Sequence, residues 1–283
     1  ETGEICDCAK YVGSNMVIKF TANLGSVKKA TQISKALNSV GLTAPSVIPT
    51  TDGKEYVTVG ELYFTLTQKV EGERVMASGV YLDDYKEKAS FIGEIVGQLD
   101  LALAKIDTIA DEADLGKSVR EWAVPALKGK IDMNPEAMEK YAAQFCDLYR
   151  DLPRQVIHRD PNPSNIILAK DKWGFIDFEL SEENARIFDP CYAATAILSE
   201  TFEEENEDKL LTWVGVMKEI MYGYDSVVKL TDVEKKAVSY MILANQFVST
   251  AFFAGKDKYE ELYRTNKAMT EWIGTNMDKL SIS

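Results

Sequence analysis

His158-Arg159-Asp160-Pro161-Asn162-Pro163-Ser164-Asn165, followed by Ile176-Asp177-Phe178-Glu179, is the stretch that decides how this 283-residue chain folds. Gln155-Val156-Ile157 leads into it as one apolar run and Ile166-Ile167-Leu168 leaves it as another, with Asp171-Lys172 as a tight turn before Trp173-Gly174-Phe175-Ile176. Two short strands joined by a hairpin are expected, with Asn165 at the start of one and Asp177 at the end of the other. Their oxygens then converge on one place. An amide and a carboxylate gathered beside a second carboxylate, Asp160, suit a hard divalent cation with a base next to it.

The spacing fits the kinase catalytic-loop pattern H-x-D-x-x-x-x-N with a later metal-holding Asp, a pattern whose chemistry is mostly positioning and charge neutralisation. At these residues the chain resembles the kinase-like small-molecule phosphotransferases, the superfamily of aminoglycoside phosphotransferases and choline/ethanolamine kinases. The resemblance implies that Asp160 accepts the proton of an attacking hydroxyl and that Asn165 and Asp177 hold Mg2+. His158 is the only histidine, and in this pattern it is a structural, hydrogen-bonded residue and not the base. The unbroken run from Ile176 to Asp189 is similar to the I-D-F-E-x-S-x-x-N-x-x-x-F-D run of choline and ethanolamine kinases, whereas aminoglycoside phosphotransferases usually have Gly in place of Glu179. Arg159 stands where the small-molecule enzymes usually have Gly or Asn, and Asp189-Pro190 is common to the wider superfamily.

Upstream, Met16-Val17-Ile18-Lys19-Phe20 looks like the strand whose lysine grips the phosphates of ATP. Leu62 to Val70, with Glu71-Gly72 after it, looks like the strand and hinge beside adenine, so the backbone of Gln68, Lys69 and Val70 is expected to meet the base. Two features depart from the pattern. No Asp or Glu occurs between Asp7 and Asp52, so the helix expected over residues 26–39 lacks the acid that pairs with the strand lysine in kinases; either Gln32 takes its place or Lys19 is held differently. The only glycine in the first ten residues is Gly3, and a first strand and much of a phosphate-covering loop are expected to be missing.

Outside these motifs the chain reads as a soluble globular protein, with 46% hydrophobic residues and no repeats. Its longest apolar stretch, Met241 to Gly255, is broken by Asn245, Gln246 and Ser249, too short and too polar for a membrane span, and Glu1-Thr2-Gly3-Glu4 is no signal peptide. A cytoplasmic protein with four reduced cysteines is expected. The net charge of −13 divides unevenly, since residues 8 to 51 hold five lysines and no acid. That basic part favours ATP and the acidic remainder favours a cationic acceptor, while nucleic acid is disfavoured. The Glu203 to Asp208 run fits a solvated surface.

Asp84 and Glu87 have capping-box spacing before Phe91, Ile95, Leu99, Ala102 and Ile106; Asn134-Pro135-Glu136 caps a helix carrying Met138, Ala142, Phe145 and Leu148. Asp189-Pro190 starts another, Thr231-Asp232-Val233-Glu234 caps one with Met241, Phe247, Val248 and Phe252 inward, and Tyr259 to Met277 supplies the last. Tyr192, Trp213, Tyr222, Tyr224, Phe252 and Trp272 could together cage a quaternary ammonium, although packing within helices is the ordinary role of such rings.

The expected architecture is α+β, a two-lobed protein-kinase-like fold: residues 1–70 a small β-sheet nucleotide-binding lobe with one helix, residues 71–283 a helical lobe with the catalytic loop and acceptor site. The expected activity is transfer of the γ-phosphate of ATP, with Mg2+, to a hydroxyl of a small amine-bearing molecule, with Glu179, Asp189 and Glu200 on the acceptor side. A nucleotide-binding pseudokinase is the alternative, suggested by the missing helix acid; a protein-serine kinase is disfavoured because neither Asp-Phe-Gly nor Ala-Pro-Glu follows.

Overall fold

The computed structural model describes residues 8–82, 84–106 and 113–282. Its first part is an antiparallel sheet. Strands β1 (Ala9–Val12) and β2 (Met16–Thr21) are followed by helix α1 (Leu24–Ser39), then β3 (Val57–Val59) and β4 (Leu62–Gln68), in the order β1-β2-β4-β3. Lys19 lies opposite Thr65 in the β2–β4 register. Helix α1 starts earlier than residue 26 because the Asn23 side chain accepts from Ser26 N at 3.2 Å and satisfies one of its free amides.

Two links tie this sheet to the hairpin. Strand β5 (Glu73–Arg74) pairs with β7 (Ile166–Leu168), which pairs with β8 (Trp173–Phe175). Gly72 precedes β5 with φ +126°, and a Cβ there would stand 2.4 Å from Leu168 O, so only glycine lets the chain turn against the hairpin. Beyond α1, Phe175 N donates to Thr43 O at 3.1 Å.

The helical part holds α2 (Ala77–Val80), α3 (Tyr85–Leu103), α4 (Leu115–Ser118) running through a π turn into α5 (Val124–Leu127), and α6 (Pro135–Arg150). After β6 (Arg154–Ile157), the hairpin and β9 (Glu182–Ala185) come α7 (Phe188–Thr201), α8 (Glu207–Val227), α9 (Asp232–Phe253) and α10 (Glu260–Thr275). Two expected caps form, Asn134 accepting from Glu136 N and Ala137 N and Thr231 with Glu234 making a full capping box, whereas Asp84 caps α3 by accepting from Lys86 N and makes no capping box with Glu87.

Helices α3 and α8 pack unusually close. A Cβ on Gly93 would lie 2.0 Å from Ile220 O and one on Gly223 2.0 Å from Ser90 O, so backbone meets backbone at the crossing. Ile95, Leu99, Leu103, Trp213, Ile220 and Tyr224 fill the core beside it.

Several expectations are corrected here. Phe91 and Phe252 point outward, 38% and 47% exposed, because the glycine faces of α3 and the α6- and α10-facing side of α9 take the core positions instead. The aromatic cage does not form. Trp213 and Tyr224 are wholly buried and bonded inside the core, to Ala194 O and Asp100, while Tyr222 and Phe252 face outward. Cys8 is disulfide-bonded and not a reduced thiol; Cys6 lies outside the described residues, and Cys146 and Cys191 are free and buried. Among the described residues no helix is long and apolar enough to cross a membrane.

Candidate active site

Strand β6 delivers His158 and β9 receives the segment after Asp177, and these two strands pair, with Ile157 opposite Glu182. The catalytic-loop sequence is therefore clamped at both ends. His158 is fully buried; its Nδ1 accepts from Asp160 N at 3.2 Å, which leaves Nε2 to donate to Ile176 O at 3.0 Å. The histidine thus bridges the base to the strand carrying Asp177, a structural part as the sequence suggested.

The side chains of the loop converge. The Asn165 amide nitrogen donates both to Asp160 O, at 2.9 Å, and to Asp160 Oδ2, at 3.1 Å. With both hydrogens spent there, its Oδ1 is left as an acceptor. Asn162 Nδ2 donates to Asp160 Oδ1 at 2.8 Å, and the Tyr192 hydroxyl from α7 is within hydrogen-bonding reach of the same carboxylate. Burial, and then the Asp160 charge, push the Tyr192 phenol well up, so it stays a neutral donor. Ile176 N donates to Asn165 O at 3.1 Å, which brings Asp177 alongside.

Lys19 reaches across from the sheet to Asp177 Oδ1 at 2.5 Å and to Glu179 Oε1 at 2.9 Å. Of the two ways to hold this lysine, the structure has the second: the acid comes from the loop after Asp177. Burial works against the Asp177 charge, but the Lys19 ammonium overcomes it and holds this carboxyl at about 2. Burial pushes Glu179 upward, only partly offset by Lys19. About a third of the Glu179 side chain is exposed, yet its Oε2 is shut off from solvent with no hydrogen-bond partner. An orphaned carboxylate oxygen beside Asp177, together with the free Asn165 Oδ1, is a donor set of hard oxygens that fits Mg2+. Among the described residues no three acidic, histidine or cysteine side chains could hold an ion by themselves; Mg2+ in kinase sites is held by one or two carboxylates with phosphate oxygens and water.

The remaining expected site residues divide. Gln68 N and Lys69 N already donate to Ser46 O and Asn15 O, both at 2.8 Å, so of the three hinge amides Val70 N is the one left for a base. Asp189 is wholly buried, its Oδ2 accepting from His158 N at 2.7 Å and its Oδ1 from Arg159 N at 2.9 Å. It orders the loop and does not reach an acceptor. Glu200 lies at the other end of α7 and reaches the surface, with desolvation pushing its carboxyl upward. Tyr192, Ala196, Ser199, Glu200 and Thr201 are the positions of α7 that reach the surface.

Sequence reasoning missed three residues. Arg159 Nε donates to Glu182 Oε1 at 2.6 Å, a brace between loop and β9; Tyr192 was read only as a cage ring; and Asp100 gave one signal, an acid in line with Gly93 and Gly97 on the buried face of α3.

A family profile described as a phosphotransferase enzyme family matches residues 16–221. A comparison with curated proteins finds no match. Among solved structures, the chain is similar to an amicoumacin kinase in complex with AMP-PNP, Ca2+ and Ami (TM-score 0.69, 11% identity, 98% of this chain and 90% of that one). It is similar to a microcompartment-associated aminopropanol kinase (TM-score 0.69, 14% identity, 95% and 87%). A choline/ethanolamine kinase family protein from Mesorhizobium loti gives a TM-score of 0.63 at 11% identity over 96% and 88%. At such identities the likeness is one of fold.

Proposed function

The chain belongs to the phosphotransferase enzyme family, and we propose that it moves the γ-phosphate of ATP, with Mg2+, to a hydroxyl of a small amine-bearing molecule. The observation that carries this reading is the meeting of Asp160, Asn165, Asp177 and Lys19 at one hairpin.

In this reading Asp160 takes the proton of the acceptor hydroxyl. Its carboxylate is aimed by Asn162, Asn165 and the Tyr192 hydroxyl, so it needs no reorganisation when the hydroxyl arrives. Asn165 Oδ1 and the Asp177 carboxylate would hold Mg2+, which when bound neutralises charge on the phosphates. Lys19 contacts phosphate, and Glu179 keeps its ammonium in place, as the helix acid does in other kinases. The want of an acid on α1 had favoured a scaffold without catalysis; with Glu179 beside Lys19 that ground is gone. Val70 N is the hinge donor for adenine.

The surface positions of α7 support an acceptor lying along that helix. Tyr192 and Glu200 are eight residues apart on one face, about 12 Å, with Ala196 leaving room between them. The hydroxyl would lie by Asp160 and the amine toward Glu200. An ATP-consumption screen over choline, ethanolamine, aminopropanol, aminoglycosides, homoserine and sugars tests the proposal. Turnover on one of the amines is expected; ATP binding without turnover on any alcohol would sink the enzymatic reading in favour of a nucleotide-binding scaffold.

A further inference from the structure

Behind the catalytic loop lies a second carboxyl group for which the transfer chemistry has no use. Asp100, on α3, is 1% exposed and Asp189 is 0% exposed, and their side chains are within hydrogen-bonding reach of each other. The Tyr224 hydroxyl donates to Asp100 Oδ2 at 2.7 Å. Asp100 Oδ1 is buried and receives no donor at all. An ionised oxygen left that way is costly, and two touching carboxylates in a dry site cannot both be charged.

The neighbours decide which one keeps the proton. Asp189 accepts two backbone amides, from His158 and Arg159, so its charge is supported. Asp100 has one phenol from α8, while Gln155 of β6 donates to the Asp100 main-chain carbonyl and not to its carboxyl. The nearest cation, Arg186 before α7, is committed elsewhere: its Nε and Nη2 donate to Glu234 at 2.7 and 2.9 Å and its Nη2 to Lys229 O. We propose that Asp100 is a protonated positioning residue, its Oδ1 hydroxyl donating to the Asp189 carboxylate and so fastening the catalytic loop to α3 and α8. The orphan oxygen then has a partner. Burial and the Asp189 charge both push Asp100 well above the usual carboxylate range, in agreement.

The inference rests on the catalytic-loop reading above only for its effect on rate; the shared proton is a property of the fold. Its sign can be worked out. In the unfolded chain Asp100 ionises near pH 4, while in the fold it keeps its proton to higher pH. The native state therefore binds more protons than the unfolded state between those two values. Stability from this group is fully present below about pH 4 and falls as pH rises, by about tenfold in the folding constant per pH unit, until the buried acid ionises.

Asp100→Asn offers an amide N–H to Asp189 and an oxygen to Tyr224 without a titrating proton. Urea unfolding of both proteins from pH 5 to pH 8 should show the variant gaining on the wild type by about tenfold per pH unit over the first part of that range. A ratio of folding constants that stays flat would overturn the proposal. Independently, the infrared carbonyl band of a protonated carboxyl at pH 7 should disappear in Asp100→Asn; a spectrum unchanged by the substitution would count equally against it. In turnover, Asp100→Ala should lower kcat about tenfold or more at unchanged KM for ATP, and Asp100→Asn should restore most of it, whereas an Asn variant as slow as the Ala variant would show that no donated proton holds the loop. The unfolding and infrared results stand whether or not an acceptor is found, so they fail separately from the kinase assignment.

Discussion

Arg159 and Asp177 are the two non-glycine residues with left-handed backbone among those described, at φ 77° and 76°, and they bracket the segment that carries Asp160 and Asn165. Side chains with a Cβ resist that conformation by roughly 1 kcal/mol or more each, so the surroundings must impose it: Asp189 holds Arg159 N, and Lys19 holds the Asp177 carboxylate. Division of labour follows from these contacts. Asp160→Asn should lower kcat by about 10²–10⁴ while leaving ATP affinity within about threefold, since Asp160 faces the acceptor. Asp177→Ala should lose magnesium-dependent nucleotide binding as well. Titrating ATP with and without magnesium separates the two, and equal loss in both would show the roles to be misassigned. Glu179→Gln keeps an oxygen for Lys19 but removes the charge; the difference between a charged and a neutral hydrogen bond is about 1–1.5 kcal/mol, so KM for ATP should rise about tenfold. An unchanged KM would detach Glu179 from Lys19.

At the scale of elements, the motif-bearing segments were legible in the sequence and the elements that brace them were less so. The hairpin, β2, α1, α6 and α9 were readable because caps and periodicity are local signals. Strand β9 was not: Glu182-Glu183-Asn184-Ala185 is too polar to read as a strand, and it forms because β6 pairs with it and Arg159 and Tyr149 bond to Glu182 and Asn184. Nor could the sequence reveal that Lys19 would find its acid 160 residues away, since that pairing depends on how sheet and hairpin meet. The α3–α8 crossing was likewise hidden, because glycines in a helix read first as breakers. It now yields a prediction. Gly223→Ala puts a methyl 2.0 Å from Ser90 O and should destabilise the protein by about 3 kcal/mol in urea unfolding, whereas Gly79→Ala, whose nearest neighbour is 3.9 Å away, should cost next to nothing. Equal stabilities would mean the crossing is looser than described.

At the scale of the whole molecule, charge is distributed as the two proposed substrates would require. The stretch from residue 8 to 51 carries five lysines and no acid, against a total of −13, so a nucleotide and the proposed cationic acceptor would approach regions of opposite sign. Long-range attraction of this kind is screened over about 8–10 Å at physiological salt, and the local contact must therefore come from one side chain. Glu200 is the candidate. Glu200 is exposed on α7, whereas of the other two acids expected there Asp189 is closed off behind the loop and Glu179 is paired with Lys19. If an amine docks at Glu200, KM for the best acceptor should rise with salt, and a neutral analogue of the same shape that keeps its hydroxyl should bind about tenfold or more weakly, the size of one charged contact of roughly 1.5–3 kcal/mol. Glu200→Gln should produce the same loss for the amine and none for the neutral analogue. A neutral sugar preferred over every amine, with salt-independent KM, would refute the cationic acceptor and leave the roles of Asp160, Asn165 and Asp177 standing, because the hairpin that gathers them does not involve Glu200.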